Sequence, residues 1–302
     1  MKNIKFHTNL ILQFSVILLI GNLIFFEKLD LDKIKYFFTK EVLVIILLLF
    51  CSRLFAPILF TFMFNILLKK KPFLKLVEIY LKGHLVNEAI PGLGYYYRYK
   101  KIKNKFGVSI LQYGSIQTLN NIFIFLSLIT LGILLGIIKI SSYQISNIFF
   151  LIIFIFILFF FLFYRYKTNL FRIKKFKKIY LEFIPIKKNF YNNYKKFIIL
   201  FILYFVQSLL QCYIFYKIVM LFGFELNFFY SSMLYISSIL LTLIFFLNFI
   251  GLFELILTFT SSLILENYVD MILVGFGFRF MGIFVLLTII SIFYIFGFKK
   301  KY

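Results

Sequence analysis

The chain has 302 residues, of which 63% are hydrophobic and 23% aromatic, with a mean hydropathy of +0.98 and a formal net charge of +23. That apolar excess excludes an ordinary soluble globular domain. The charge argues against nucleic-acid binding because of where it lies: 26 of the 34 Lys and Arg fall before residue 10 (2), within 69–105 (10), within 165–196 (11) and at 299–301 (3), outside the long apolar runs.

Crossing the hydrocarbon core takes about 20 mostly apolar residues. Stretches of that kind run over residues 10–26, 42–68, 116–138, 148–164, 197–222, 228–250 and 271–298. Strands of a membrane barrel would alternate in polarity, whereas residues 149–164 are apolar on every face, so the spans are predicted to be helices. Lys2 and Lys5 ahead of the first stretch resemble a signal peptide. No small-residue cleavage site follows before Phe25-Phe26-Glu27-Lys28, so 10–26 is expected to be a retained span. Cys51 and Cys212 lie inside apolar runs and are expected to be packing residues. Two alanines (Ala56 and Ala89), no Trp and 47 Phe indicate an AT-rich coding bias, so a Phe or Tyr alone carries little functional signal here.

The basic zones follow the positive-inside pattern and predict a multi-pass protein of the cell inner (cytoplasmic) membrane with both termini cytoplasmic. Cytoplasmic termini require an even number of crossings, so the segment between Glu225 and Asp270 must begin and end outside. It breaks at Asn248-Phe249-Ile250-Gly251, so that either the short piece after the break is a tilted helix or the two pieces form a re-entrant hairpin over 226–268. A counterpart is predicted over 72–106, broken at Ala89-Ile90-Pro91-Gly92-Leu93-Gly94, where Pro91 removes a donor and the glycines relax the backbone. Asn87 to Thr118 and Asn248 to Arg279 are each 31 residues apart. The expected fold class is therefore an all-α polytopic membrane protein with about six full spans and two broken or re-entrant helical hairpins arranged as an inverted repeat. Residues 1–302 would form one membrane domain, with halves 1–138 and 139–302 and a basic cytoplasmic loop at 165–196.

A charge inside a bilayer costs roughly 2.5–3.5 kcal/mol on insertion scales, so Arg53, Glu254 and Arg279 need partners or purposes. Glu254 and Arg279 are candidates to pair with each other. Near the first break stand His84, Asn87, Glu88 and Arg98; His84 and Glu88 are two ligands at most, and the expectation is a polar helix face near water rather than a metal site. The run Tyr95-Tyr96-Tyr97-Arg98-Tyr99-Lys100 reads as an interfacial aromatic belt. Asn120, Asn121, Gln207 and Gln211 read as interhelical hydrogen-bonding residues. No nucleophile–base–orienter set and no Cys/His metal spacing occurs, so no catalytic residue, metal or cofactor is expected.

The run Asn87-Glu88-Ala89-Ile90-Pro91-Gly92-Leu93-Gly94, followed by Arg98 and Gly107-Val108-Ser109, resembles the first motif of the lysylphosphatidylglycerol synthase transmembrane-region family, the flippase-like domains. Asn248–Glu254, Asp270 and Gly277-Phe278-Arg279 are similar to its second motif. The resemblance implies a bundle that passes lipid headgroups across the bilayer, without the soluble domain that makes the aminoacylated lipid. It implies Asn87, Pro91, Gly92 and Arg98 at one hairpin tip and Asn248, Gly251, Glu254 and Arg279 at the other as substrate-binding positions. The expected partners are membrane lipids with an anionic or otherwise charged headgroup. The rival readings are a membrane partner subunit of an envelope lipid or glycan enzyme, and a small-solute secondary transporter.

Overall fold

A computed structural model describes residues 39–68, 72–89, 93–138, 189, 192–244, 252–262, 265 and 268–295. The predicted spans 10–26 and 148–164 and nearly all of the basic loop lie outside the described residues, as do Pro91, Gly92, Asn248 and Gly251. Among the described residues every regular element is a helix: α1 (Glu41–Leu68), α2 (Phe73–Ala89), α3 (Leu93–Phe106), α4 (Ile110–Ile138), α5 (Tyr194–Leu221), α6 (Phe228–Ile244), α7 (Leu252–Ser261), a 3₁₀ turn (Tyr268–Asp270) and α8 (Met271–Ile295).

Local chemistry sets several of these ends. Between α3 and α4, Gly107 takes φ 66°, a conformation that costs a residue with a Cβ about 1 kcal/mol or more. Ser109 and Gln112 then start α4 with a reciprocal capping box: the Gln112 amide donates to Ser109 Oγ and the Ser109 amide donates to Gln112 Oε1, each at 3.2 Å. At the end of α5, Gly223 takes φ 79°, and the amides of Gly223 and Phe224 donate back to the carbonyls of Met220 and Val219. That is a Schellman closure, and it satisfies two carbonyls the helix would otherwise leave open. Asn227 Oδ1 accepts the Tyr230 amide at 3.0 Å and caps the start of α6.

Four of the helical stretches are long and apolar enough to cross a membrane: α1, residues 110–136 of α4, α5, and residues 268–295 containing α8. Their outward faces are apolar as well. Ile198, Ile202, Val206 and Leu209 form one exposed stripe along α5, and Phe280, Phe284 and Leu287 another along α8. Stripes of this size facing water would drive aggregation; facing lipid they are at home. Cys212 packs in the core, but Cys51 stands on the exposed face of α1, which corrects the expectation that both cysteines pack internally.

The helices α2 and α3 form an antiparallel pair. Gly94 meets Gly83 and Asn87, and Arg98 meets Gly83 and Tyr80, so each step forward on α3 is a step back on α2. The chain also reverses between α6 and α7, where Ser238 and Thr260 share a hydrogen bond at 3.2 Å. The packing is crosswise. Helix α2 rests against α8, and α6 rests against α4, so each pair leans on the long helix that follows the other. Helix α8 touches α1, α2, α5 and α7 and is the hub of the bundle. Tyr204, Phe60 and Phe64 fill the core on the α1–α4–α5 side, and Phe215, Met271 and Leu286 fill it around α8. At the start of α2, the Glu78 carboxylate takes hydrogen bonds from Lys75 and Lys82 and thereby holds the Lys75 ammonium above its usual range.

A Cβ on Gly94 would fall onto the Gly83 carbonyl and the Asn87 backbone, neither of which can swing away, whereas Gly114 has open space around it. Gly94→Ala is therefore expected to destabilise the protein by about 1–3 kcal/mol, and Gly114→Ala to be neutral or slightly stabilising. Thermal unfolding of the two variants in detergent, followed by circular dichroism, checks this contrast.

Candidate functional site

A cavity of about 330 Å³ opens in the middle of the bundle. Polar and charged side chains share its walls with apolar ones, although the exterior is apolar. Arg53 on α1, Arg98 on α3 and Arg279 on α8 all line it, with His84, Asn87 and Glu88 of α2. The opposite wall carries amides: Gln117, Asn120 and Asn121 of α4, and Gln207 and Gln211 of α5. Tyr80, Tyr95, Tyr204 and Tyr235 complete a phenolic rim, and Phe253 and Phe278 close one end.

Three of the charged side chains at or beside this space, Glu254, Arg53 and Arg98, pack against a glycine. Glu254, 0% exposed, lies against Gly275, where a Cβ would stand 2.9 Å from its Cγ. One turn further along α8, Arg279 Nε comes to 2.8 Å from Glu254 Oε1, so the pair anticipated from the sequence is formed. A further turn on, the Arg53 guanidinium presses on Gly282 so closely that a Cβ there would collide with Nη2. On the other side Arg98, 4% exposed, crosses Gly83. The spacing Gly275–Arg279–Gly282 puts all three positions on one face of α8.

Arg53 serves the first hairpin. Its Nη1 lies 2.9 Å from His84 Nε2 and 3.8 Å from Glu88 Oε1, and His84 Nδ1 lies 3.5 Å from the same carboxylate oxygen. Arginine can only donate, so His84 Nε2 must accept. The ring is therefore neutral, with its proton on Nδ1 facing Glu88. His84 and Glu88, expected to form a polar face near water, line the cavity and are held there by Arg53 of α1. Pro57 has no N–H to give the Arg53 carbonyl four residues before it, so α1 is missing a hydrogen bond at the cavity.

The amide wall is cross-linked. Tyr204 donates to Asn120, Tyr235 donates to Gln211 at 3.0 Å, Gln211 donates to Ser52, and Gln117 donates to Asn121 at 3.0 Å. Asn120 and Gln211 thus make the interhelical bonds expected of them. Asn121 bonds within its own helix, and Gln207 Oε1 is buried with no hydrogen bond among the described residues. Arg98 sits with its guanidinium carbon 4.6 Å from the ring centroids of both Tyr80 and Tyr95. Of the predicted belt, Tyr95 and Arg98 thus turn into the cavity, and Tyr96 and Lys100 are exposed.

Of the eight substrate-binding positions drawn from the resemblance, Asn87, Arg98 and Arg279 line the cavity and Glu254 lies directly behind Arg279. The other four, Pro91, Gly92, Asn248 and Gly251, lie outside the described residues. The 31-residue register that pairs Thr118 with Arg279 is not kept on the helix faces: Thr118 is exposed, and Gln117, one residue earlier, lines the cavity.

The lysylphosphatidylglycerol synthase TM region matches the chain over residues 10–289. The chain belongs to that family. With four long apolar helices among the described residues, it is an integral, multi-pass membrane protein. No curated protein and no solved structure matches it.

Glu254→Ala would leave Arg279 without its buried partner and is expected to cost about 3–5 kcal/mol; adding Arg279→Met should recover most of that loss. Urea unfolding of the two single variants and the double variant in detergent reads the coupling between them.

Proposed function

We propose that this family member is a flippase-like protein of the cytoplasmic membrane that carries a lipid headgroup through the central cavity while the acyl chains stay in the bilayer. The observation that carries this reading is the arginine- and amide-lined cavity inside a bundle whose exterior is apolar. Polar groups in hydrocarbon are costly, and a cavity this polar is maintained only for a polar passenger. The walls offer guanidiniums, amides and phenols, which suit holding and releasing a headgroup rather than breaking its bonds, so we assign no reaction to the site.

The pairs α2–α3 and α6–α7 are read as two hairpins entering from opposite faces, with α2–α3 on the cytoplasmic side. Their crosswise packing on α8 and α4 supports that reading. In this scheme Arg279 exchanges its Glu254 contact for the headgroup during passage. The basic stretch at the end of α3, Lys100 to Lys105, would gather anionic lipid at the cytoplasmic surface.

The transport test is transfer of a fluorescent phospholipid in proteoliposomes, read by dithionite quenching. Wild type is expected to accelerate transfer, and Arg279→Gln to slow it about tenfold or more with insertion intact; an unchanged rate removes Arg279 from the path. For the architecture, Cys51 and Cys212 are first replaced and single cysteines placed at exposed Tyr96 and Glu225. Tyr96→Cys should label only from inside and Glu225→Cys only from outside. Labelling of both from one face overturns the opposed hairpins.

A further inference from the structure

One end of the cavity is shut by aromatic rings drawn from three helices. Tyr235 of α6, Phe253 of α7 and Phe278 of α8 all line the cavity, and all three are buried. Their ring centroids form a closed triangle: 6.3 Å from Tyr235 to Phe253, 5.7 Å from Tyr235 to Phe278 and 6.2 Å from Phe253 to Phe278. Both contacts of Tyr235 are edge-to-face, so the positive rim of one ring meets the negative face of another. Phe215 of α5 backs the triangle, 5.3 Å from Tyr235 and 6.1 Å from Phe278. One turn along α7 Leu257 is fully buried, as is Val274 one turn back along α8, so close packing continues past the rings on both helices.

The rings share their seat with the buried ion pair. Phe253 is followed at once by Glu254, and Phe278 by Arg279. The Phe253–Phe278 contact and the 2.8 Å contact between Arg279 Nε and Glu254 Oε1 therefore both bridge α7 and α8. Gly275 permits this approach, since a Cβ there would stand 2.9 Å from Glu254 Cγ and 3.3 Å from its Cα. Helix α7 packs chiefly on α6, α8 and the 3₁₀ turn, and it can leave α8 only by parting both contacts. They differ in strength. Aromatic pairs are weak and separate readily, whereas a buried charge that loses its partner is strongly unfavourable. The ion pair thus holds the rings together. Glu254 is 0% exposed, but Arg279 is 19% exposed and lines the cavity, so a group inside the cavity reaches the pair from its arginine side.

We infer that Tyr235, Phe253 and Phe278 form a gate at this end of the cavity and that the Glu254–Arg279 ion pair is its latch: drawing Arg279 off Glu254 frees α7 to swing the Phe253 ring away from α8. This rests on the reading of the cavity as a passage, and it names what controls access at one end. With α6 and α7 entering from outside, the gate closes the outer end.

The test reads access to the cavity, kept separate from transport. In the full-length chain with Cys51 and Cys212 replaced, a single cysteine is placed at Asn121 on the amide wall. Its labelling by a membrane-impermeant thiosulfonate is timed in intact cells and in inverted vesicles. With all three rings and the ion pair in place, labelling from outside is expected to be slow. Phe253→Ala and Phe278→Ala should each speed it about tenfold, the shift in open population that follows loss of two ring pairs. Arg279→Gln, which keeps every ring, should speed it as well. Phe253→Leu keeps most of the volume, should give a smaller rise, and carries the test if the alanine variants fail to insert. Phe280→Ala, on the exposed side of α8 beside Arg279, should change nothing. Fast labelling from outside with the gate residues intact overturns the inference, and that arm needs no gate variant. Unchanged labelling in the Phe253 and Phe278 variants overturns the gate, and unchanged labelling in Arg279→Gln overturns the latch. An equal rise in Phe280→Ala overturns both, because it marks general loosening. A rise confined to the cytoplasmic face supports the gate and overturns the opposed hairpins instead. Gated access without lipid transfer in proteoliposomes leaves this inference standing and removes the flippase reading; transfer with access insensitive to the rings does the reverse.

Discussion

One face of α8 organises the bundle. Arg279 stands between Gly275 and Gly282, and each glycine admits a charged side chain from another element: Glu254 from α7 on one side and Arg53 from α1 on the other. Without Cβ atoms at those two positions the charges approach the helix backbone; with them, both would be pushed away. Because hydrocarbon offers no water to satisfy a displaced charge, the positions of α1, α7 and the first hairpin follow from where those side chains must lie. Arg53 extends the chain of constraint to His84 and Glu88, so that a contact on α8 also orients α2.

The same arrangement explains how an apolar chain sustains a polar interior. The glycines and buried serines let helices approach closely, as Ser127 and Ser208 do where their hydroxyls meet at 2.7 Å between α4 and α5. The larger polar side chains are pushed together into one space, where they satisfy one another in part. The Arg53 Nε and the Gln207 Oε1 are left buried without a hydrogen-bond partner among the described residues, with no surface open to the cavity.

Much of this was legible in the chain. Runs of apolar residues marked α1, α5 and α8 to within a few positions, and α4 proved to begin six residues earlier, at Ile110, because Ser109 and Gln112 cap it there. Glu254 and Arg279 announced themselves as charges in apolar surroundings. The Arg53 cluster did not. Arg53 and His84 are 31 positions apart on separate helices, and only the packing of α2 beside α1 and α8 joins them. Arg98 was picked out by the motif, but its setting was not: the run of tyrosines around it reads as an interfacial belt, and only helical geometry turns Tyr95 and Arg98 inward while Tyr96 points out. A pattern of letters does not fix the rotation of a helix, and on α4 it is Gln117 rather than Thr118 that faces the cavity.

The crosswise packing of α2 on α8 bears on how the chain is made. Synthesis proceeds from the amino terminus, so the first hairpin leaves the ribosome long before the helix it will rest on exists. During that interval Arg53, His84 and Glu88, all early in the chain, can already hold one another as a self-contained cluster. Glu254 and Arg279 emerge close together at the end and meet almost at once. The order of the residues along the chain thus gives these two clusters near partners, and α8 brings Arg279 to Glu254 as it joins the bundle.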